Sequence, residues 1–202
     1  LDLIYDAVVP DVSNLVISNV SPVSINPVYY HNPALHGNLV VAAETNDASG
    51  PARLLLGNGI ATRTYLMSAS SVNTNYSYSM TTTDNASATL PDGTYEVTAV
   101  ATSKLGIAST DTTSNELTID TVADNAELSG LPPALTSQTA ATITVGGSGI
   151  AAYKYKLDSA PWTAEEPVTK KIELTGLASG SHELKVVGKD LAGNWQSTDA
   201  PT

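Results

Sequence analysis

Asp120, Asp124 and Asn125 stand close together in the chain, and Asp190, Asn194 and Asp199 form a second such group. Carboxylate and amide oxygens at these spacings, helped by backbone carbonyls, are the donors a calcium ion takes. The first group falls where one half of the chain gives way to the other. Asp190 and Asn194 fall on a turn expected to face the segment that holds Asp199. Ca²⁺ bound at such a junction would stiffen a hinge. A solvated acidic linker would carry the same residues, and no complete EF-hand loop or glycine-rich calcium repeat runs through either segment.

Other residue types capable of chemistry are scattered. His31 and His36 sit in a proline-rich stretch and His182 opens a strand, with no His-Glu-x-x-His among them and no cysteine to complete a zinc set. No Gly-x-Ser-x-Gly elbow presents a serine nucleophile. Gly146-Gly147-Ser148-Gly149 lacks the Lys-Ser/Thr ending of a phosphate loop and reads as a hairpin turn. Glu165 and Glu166 are neighbours, and neighbours on a strand point to opposite faces, so they do not form a glycosidase pair. The expectation is that no residue is catalytic. Among aromatics, Trp162 and Trp195 suit a core or interface, whereas Tyr29 and Tyr30, read as a loop flanked by prolines, are the candidate partner-binding residues. Asn19-Val20-Ser21, Asn75-Tyr76-Ser77 and Asn85-Ala86-Ser87 fit the glycosylation triplet, which a chain rich in Asn, Ser and Thr produces by chance.

The charge narrows the partners. Of 20 acidic and 9 basic residues, positions 1–121 hold 11 and 3, a net −8, and positions 122–202 hold 9 and 6, a net −3. Phosphate binding needs a basic face, so nucleic acid is a poor partner. Anionic membranes are disfavoured for the same reason, and no run reaches the roughly 18 apolar residues that signal a membrane-spanning helix. Expected partners are neighbouring domains or identical subunits, with a surface glycan or protein as a further class. The absence of cysteine fits an exported bacterial protein better than a disulfide-stapled animal one. The chain opens at Leu1 without a basic or apolar leader, so any signal peptide is expected to have been removed or to lie outside this sequence.

Helical periodicity is weak throughout, and strand signals are many. Expected strands in the first half are 12–20, 39–43, 53–56, 62–68, 76–80, 93–102 and 115–120, with Asn58-Gly59 as a turn. In the second half they are 126–129, 140–145, 151–157, 169–175, 181–189 and 194–198. Tyr153, Tyr155 and Leu157 share one face of their strand, and Lys154 and Lys156 share the other. Asp92-Gly93-Thr94-Tyr95-Glu96-Val97 aligns with Ser179-Gly180-Ser181-His182-Glu183-Leu184, 87 positions later, and each strand runs into a second glycine turn, Lys104–Ile107 and Leu191–Asn194. A unit that recurs once in this length implies two related domains, 1–121 and 122–202. His182 takes the place of Tyr95, where a tyrosine often bonds back to the preceding backbone. Asp6–Asp11 resembles Asp120–Asn125, and Asp199-Ala200-Pro201-Thr202 resembles the opening of a further copy, as in a longer array or a subunit that meets its neighbours end to end.

Asn75–Ser79, Leu90–Ala99 and Asn115–Thr121 together resemble the bacterial Ig-like domains of large surface proteins. Tyr153–Asp158, Trp162, Leu174–Leu177, Gly180, His182 and Lys189–Asn194 resemble a fibronectin-III-like or YYY-type sandwich. The first domain departs from its pattern at Ser103-Lys104-Leu105-Gly106, where the family has Asp and Asn, which puts any ion site of that turn in doubt. The resemblance implies an all-β fold of two tandem Ig-like/fibronectin-III-like β-sandwiches and a structural, non-catalytic extracellular or cell-surface role, as a stalk or adhesin segment. Two alternatives stand beside it. One is a self-assembling surface filament subunit, in which residues 1–9 add a strand to a neighbour. The other is an accessory carbohydrate-binding module of a polysaccharide-active enzyme. Ca²⁺ at the domain junctions is the one cofactor expected.

Overall fold

The computed structural model describes residues 11–22, 28–45, 53–57, 62–66, 68–72, 75–81, 90–103, 105–110 and 115–202. The chain divides into two compact units, Leu1–Asp120 and Thr121–Thr202. Residues 1–9, the expected donor strand, together with Asn58-Gly59 and Asn85–Ser87, lie outside the described residues.

Unit 1 holds β1 (Val12–Ser18), β2 (Val28–His31), the short helix α1 (Pro33–His36), β3 (Val40–Thr45), β4 (Arg53–Gly57), β5 (Thr62–Leu66), β6 (Ser68–Val72), β7 (Asn75–Thr81), β8 (Gly93–Thr102), β9 (Ala108–Thr110) and β10 (Asn115–Ile119). One sheet runs β1-β3-β7-β6. The other runs β2-β10-β8-β4-β5, with β9 also on β8. The pairings are antiparallel except β2 with β10, which run parallel with Tyr29 opposite Leu117 and His31 opposite Ile119. Burial alternates along β3 and β8, the period-two signature of strands with one dry face. Ile17, Val41 and Ala43 from one sheet meet Leu56, Tyr95, Val97, Ala99, Leu117 and Ile119 from the other, in one core closed by Leu39 and Leu90. Removing this apolar surface from water is the main force holding the sheets together.

Unit 2 repeats the plan with fewer strands: β11 (Glu127–Ser129), β12 (Ala141–Gly146), β13 (Ile150–Leu157), β14 (Glu166–Pro167), β15 (Ile172–Leu174) and β16 (Leu184–Asp190). The sheets are β11-β12-β15 and β14-β13-β16. Ala126, Ile143, Val145, Tyr153, Ile172 and Val186 form its core. Both units are therefore all-β sandwiches.

Several sequence expectations need correction. Gly146–Gly149 is not a hairpin turn, because β12 and β13 belong to different sheets, so this turn crosses the sandwich. It does so through Gly147 (φ 121°) and Gly149 (φ 71°), backbone angles that L side chains rarely adopt. Residues 194–198 form no strand beyond an isolated bridge from Trp195 to Lys189. Thr202 instead exchanges two backbone hydrogen bonds with Val186 (2.8 and 2.9 Å), so the C-terminal segment covers the outer edge of β16. That edge would otherwise expose unpaired donors and acceptors. Finally, the stretch holding Tyr29, Tyr30, His31 and His36 is not simply a loop, since it contributes β2 and α1.

Candidate functional site

The two glycine turns that the repeat pairs are closed by the same bonds. In unit 1, Ser103 N–H donates to Ile107 O (2.8 Å) and Gly106 N–H to Ser103 O (3.0 Å), while Ile107 N–H donates to Ser103 Oγ (3.2 Å). In unit 2, Asp190 N–H donates to Asn194 O (3.0 Å) and Gly193 N–H to Asp190 O (3.1 Å). Asn194 N–H then donates to Asp190 Oδ1 (2.8 Å), and Asn194 Nδ2 donates to Asp190 Oδ2 (3.0 Å).

The structure thus brings Asp190 and Asn194 together, buried to 2% and 8% exposure, with both carboxylate oxygens already accepting. In unit 1 a serine oxygen accepts at the equivalent place. Asp124 packs against Gly149, where a Cβ would come within 2.6 Å of its Oδ2. Asn125 and Asp199 are exposed, and Asp120 is the last residue of unit 1. Among the described residues, no three His, Asp or Glu side chains converge as a metal-ligand group.

The same offset governs the strand entries. Tyr95 Oη donates to Pro91 O (2.8 Å), four residues back. His182 Nε2 lies 3.0 Å from Ala178 O, also four residues back, and its Nδ1 lies 2.8 Å from Asp158 Oδ2. Both partners of the imidazole are acceptors, an arrangement that favours the doubly protonated ring. The hydrogen bond to Asp158 is the main cause that raises the His182 pKa. Asp158 is lowered first by the backbone N–H of Glu183 and then by His182. Asp158 itself has φ 54° and is held there by exchanging bonds with Glu183 (2.7 Å each).

Gln196, which the sequence did not single out, is the main polar tie inside unit 2. Its Oε1 accepts from Ala126 N–H (3.0 Å) and Gly188 N–H (3.1 Å). Its Nε2 donates to Ala200 O (3.0 Å) and Thr202 Oγ1 (3.1 Å). Thr202 Oγ1 in turn donates to Ala126 O (2.7 Å). One buried amide thereby joins the entry to β11, the middle of β16 and the C-terminal segment. Only the bare pairing of a glutamine with a strand end could have signalled it.

Tyr29 and Tyr30 lie on β2 rather than in a loop, and Tyr29 packs half-buried against the core of unit 1. The end of the same strand holds His31, fully buried. Its Nδ1 donates to Asn19 O (2.7 Å), which in the neutral ring leaves Nε2 unprotonated, and Nε2 has no partner. His36 lies beside it, ring centroids 5.7 Å apart, and accepts Asn32 N–H on Nδ1 (3.0 Å). Burial is the largest influence on both rings and lowers both pKa values; on His31 the bond to Asn19 opposes it and His36 adds to it.

Glu165 and Glu166 do diverge, to Lys189 (3.1 Å) and Lys170 (2.7 Å). Glu165 belongs to a different arrangement, on the outer side of β14-β13-β16. Tyr153 and Val186 face the core, so Lys154, Lys156, Lys185, Val187 and Lys189 take the opposite face. Lys154 Nζ sits 4.5 Å from the Trp195 ring, Lys189 Nζ 5.7 Å from it, and Lys156 Nζ 5.0 Å from the Trp162 ring. Val187 is only 2% exposed on this outer side, so lysine stems and indoles cover the sheet.

No protein-family model matches the chain, and no curated protein matches it. Among solved structures it is similar to the fibronectin(III)-like modules of Clostridium thermocellum CbhA, at 16% identity over 94% of this chain and 90% of that one, with a TM-score of 0.36. It is also similar to a structure of a 1.5-MDa bacterial ice-binding adhesin, at 19% identity over 91% of this chain and 62% of that one, with a TM-score of 0.40. A third likeness is to the chicken CNTN1 FN1–FN3 domains, at 11% identity over 92% and 63%, with a TM-score of 0.33. These likenesses assign no activity or site, and no role is carried over from them.

Proposed function

We propose that the chain is a non-catalytic structural segment of an exported bacterial surface protein, a spacer made of tandem β-sandwich units. The observation that carries this reading is the division into two units with separate cores. The polar residues most suggestive of chemistry support it, because Ser103, Asp190, Asn194 and His182 are spent on closing turns. Units that bury their own apolar faces can be strung together with little loss of order, which is what a stalk or adhesin segment requires. Calcium at the junction belongs to the same proposal, with donors drawn from Asp120, Asp124 and Asn125 and from Asp190, Asn194 and Asp199.

Calorimetry tests the reading: two separable transitions are expected, and a single cooperative one overturns it. Electron microscopy separates the roles, since isolated particles support a spacer and ordered filaments would replace it with a self-assembling subunit. Melting in millimolar Ca²⁺ against EGTA tests the ion, and identical transitions remove it.

A further inference from the structure

We propose that the outer face of β14-β13-β16 is a binding surface for an acidic polysaccharide, a sugar chain bearing carboxylate or sulfate groups. The face gathers four of the nine basic residues of a chain whose net charge is −11. Two of the four are neutralised locally, Lys189 by Glu165 (3.1 Å) and Lys185 by Glu183 (3.0 Å). Lys154 and Lys156 are not: among the described residues no carboxylate lies within ion-pair distance of either. Their ammonium groups rest on indole rings instead, at 4.5 and 5.0 Å. A cation over a ring keeps its outer side available to an anion, and the ring holds it in place.

The arrangement is a strip rather than a point. Lys154 and Lys156 lie two residues apart on β13, roughly 7 Å along the strand, and Lys156 stands opposite Lys185 on β16, roughly 5 Å across. Trp195 bridges to Lys189 beyond β16. Trp162 precedes Thr163, whose N–H donates to Tyr155 O (2.9 Å) beside β13. The half-buried indoles therefore flank the lysines on either side. Repeated cations between aromatic platforms suit a polymer of repeated anions whose sugar faces carry apolar C–H groups. Four lysines, two of them already paired, are too few for a nucleic-acid groove on so acidic a chain. This inference goes beyond the spacer reading and does not depend on it.

Trp162 and Trp195 are the chain's two tryptophans, so intrinsic fluorescence of the whole protein reads this face. Polygalacturonate, heparin and dextran are titrated separately at low and high salt. The expected result is a saturable emission change with polygalacturonate or heparin, weakened by salt, and none with dextran. Which polyanion responds distinguishes carboxylate from sulfate. Lys154→Gln/Lys156→Gln should weaken binding about tenfold, close to 1.4 kcal/mol. Lys170→Gln/Lys171→Gln, the same charge change next to β15 of the other sheet, should leave it within about twofold. Silence with both polyanions, an equal response to dextran, or equal effects of the two double variants each overturns the proposal. So does an emission change produced by raising protein concentration alone with a larger sedimenting species, because the face would then seat a second copy. None of these outcomes alters the number of melting transitions, so failure here is distinguishable from failure of the spacer reading.

Discussion

After β8 the chain turns on Ser103, and after β16 it turns on Asp190. The backbone bonds are alike in both turns, and so is the side-chain oxygen that accepts the N–H four residues on. The side chains at that fourth position differ. Ile107 is 37% exposed in unit 1, whereas Asn194 is 8% exposed in unit 2 and gives its amide to the second oxygen of Asp190. What the turn demands is one acceptor in one place; the rest answers to burial. A buried turn must satisfy more polar atoms, since each one left unpaired costs about 1–3 kcal/mol. Asp190 and Asn194 meet that demand by bonding twice through the Asp190 carboxylate.

The largest test of the comparison is whether the units stand alone. Tyr95→Ala and Tyr153→Ala each empty a fully buried aromatic site and should cost about 3–5 kcal/mol. Each should lower only its own unit's calorimetric transition. If both transitions fall together, the cores are coupled and the comparison of independent units fails.

Gln196→Ala comes next. It strips the acceptor from two buried N–H groups, of Ala126 and Gly188, and should destabilise unit 2 by about 2 kcal/mol or more. Denaturant unfolding measures this, and a change under about 0.5 kcal/mol would mean that the C-terminal segment does not hold the unit closed.

Asp190→Ser installs the unit 1 solution in unit 2. Its hydroxyl can cap the turn, but the Asn194 amide loses its carboxylate, so about 1–2 kcal/mol should be lost. Adding Asn194→Ile, to copy Ile107, should show coupling of at least about 0.5 kcal/mol in a double-mutant cycle. Simple additivity would mean that the two side chains do not act as a pair.

Much of this was legible in the chain. The alternation in β13 gave the faces of Tyr153 and Tyr155 against the lysines correctly, because a strand with one dry side leaves a period of two in its side chains. The 87-residue offset carries over to the hydrogen bonds of Tyr95 and His182, because both strands enter by the same glycine turn. Tyr29 and Tyr30 were misplaced because prolines on either side look like a loop, while the parallel pairing with β10 that makes β2 a strand is set by residues far along the chain. Residues 194–198 were misread because Gln196 is needed for its amide and Trp195 for its contact with lysines, and neither demand leaves a periodic trace. The lysine and tryptophan face needed the fold for the same reason: Lys154 meets Trp195 only because β13 pairs with β16, to which Trp195 bridges at Lys189.

The smallest expected effect sets the two units against each other in pH. In unit 2 the His182 pKa is raised above its ordinary 6.5, so the folded state holds the extra proton more tightly than the unfolded chain. Its contribution is complete below 6.5 and is lost as pH rises through the folded value. At the acid end, Asp158, lowered from 3.8, withdraws its share only as pH falls through its own depressed value. In unit 1 the sign is opposite. His31 and His36 are lowered from 6.5, so folding favours their neutral forms, and stability is lost as pH falls below 6.5 toward the folded values. Protonating His31 would put a new N–H on Nε2, a buried atom without a partner, beside a second cationic ring. Calorimetry between about pH 8 and pH 5 should therefore show the unit 1 transition weakening where the His182 contribution in unit 2 is retained. His182→Tyr, which copies Tyr95, should flatten the alkaline side of unit 2, and His31→Gln should shallow the acid slope of unit 1. Slopes unchanged by either substitution would show that the net charge of the chain, rather than these rings, sets the response.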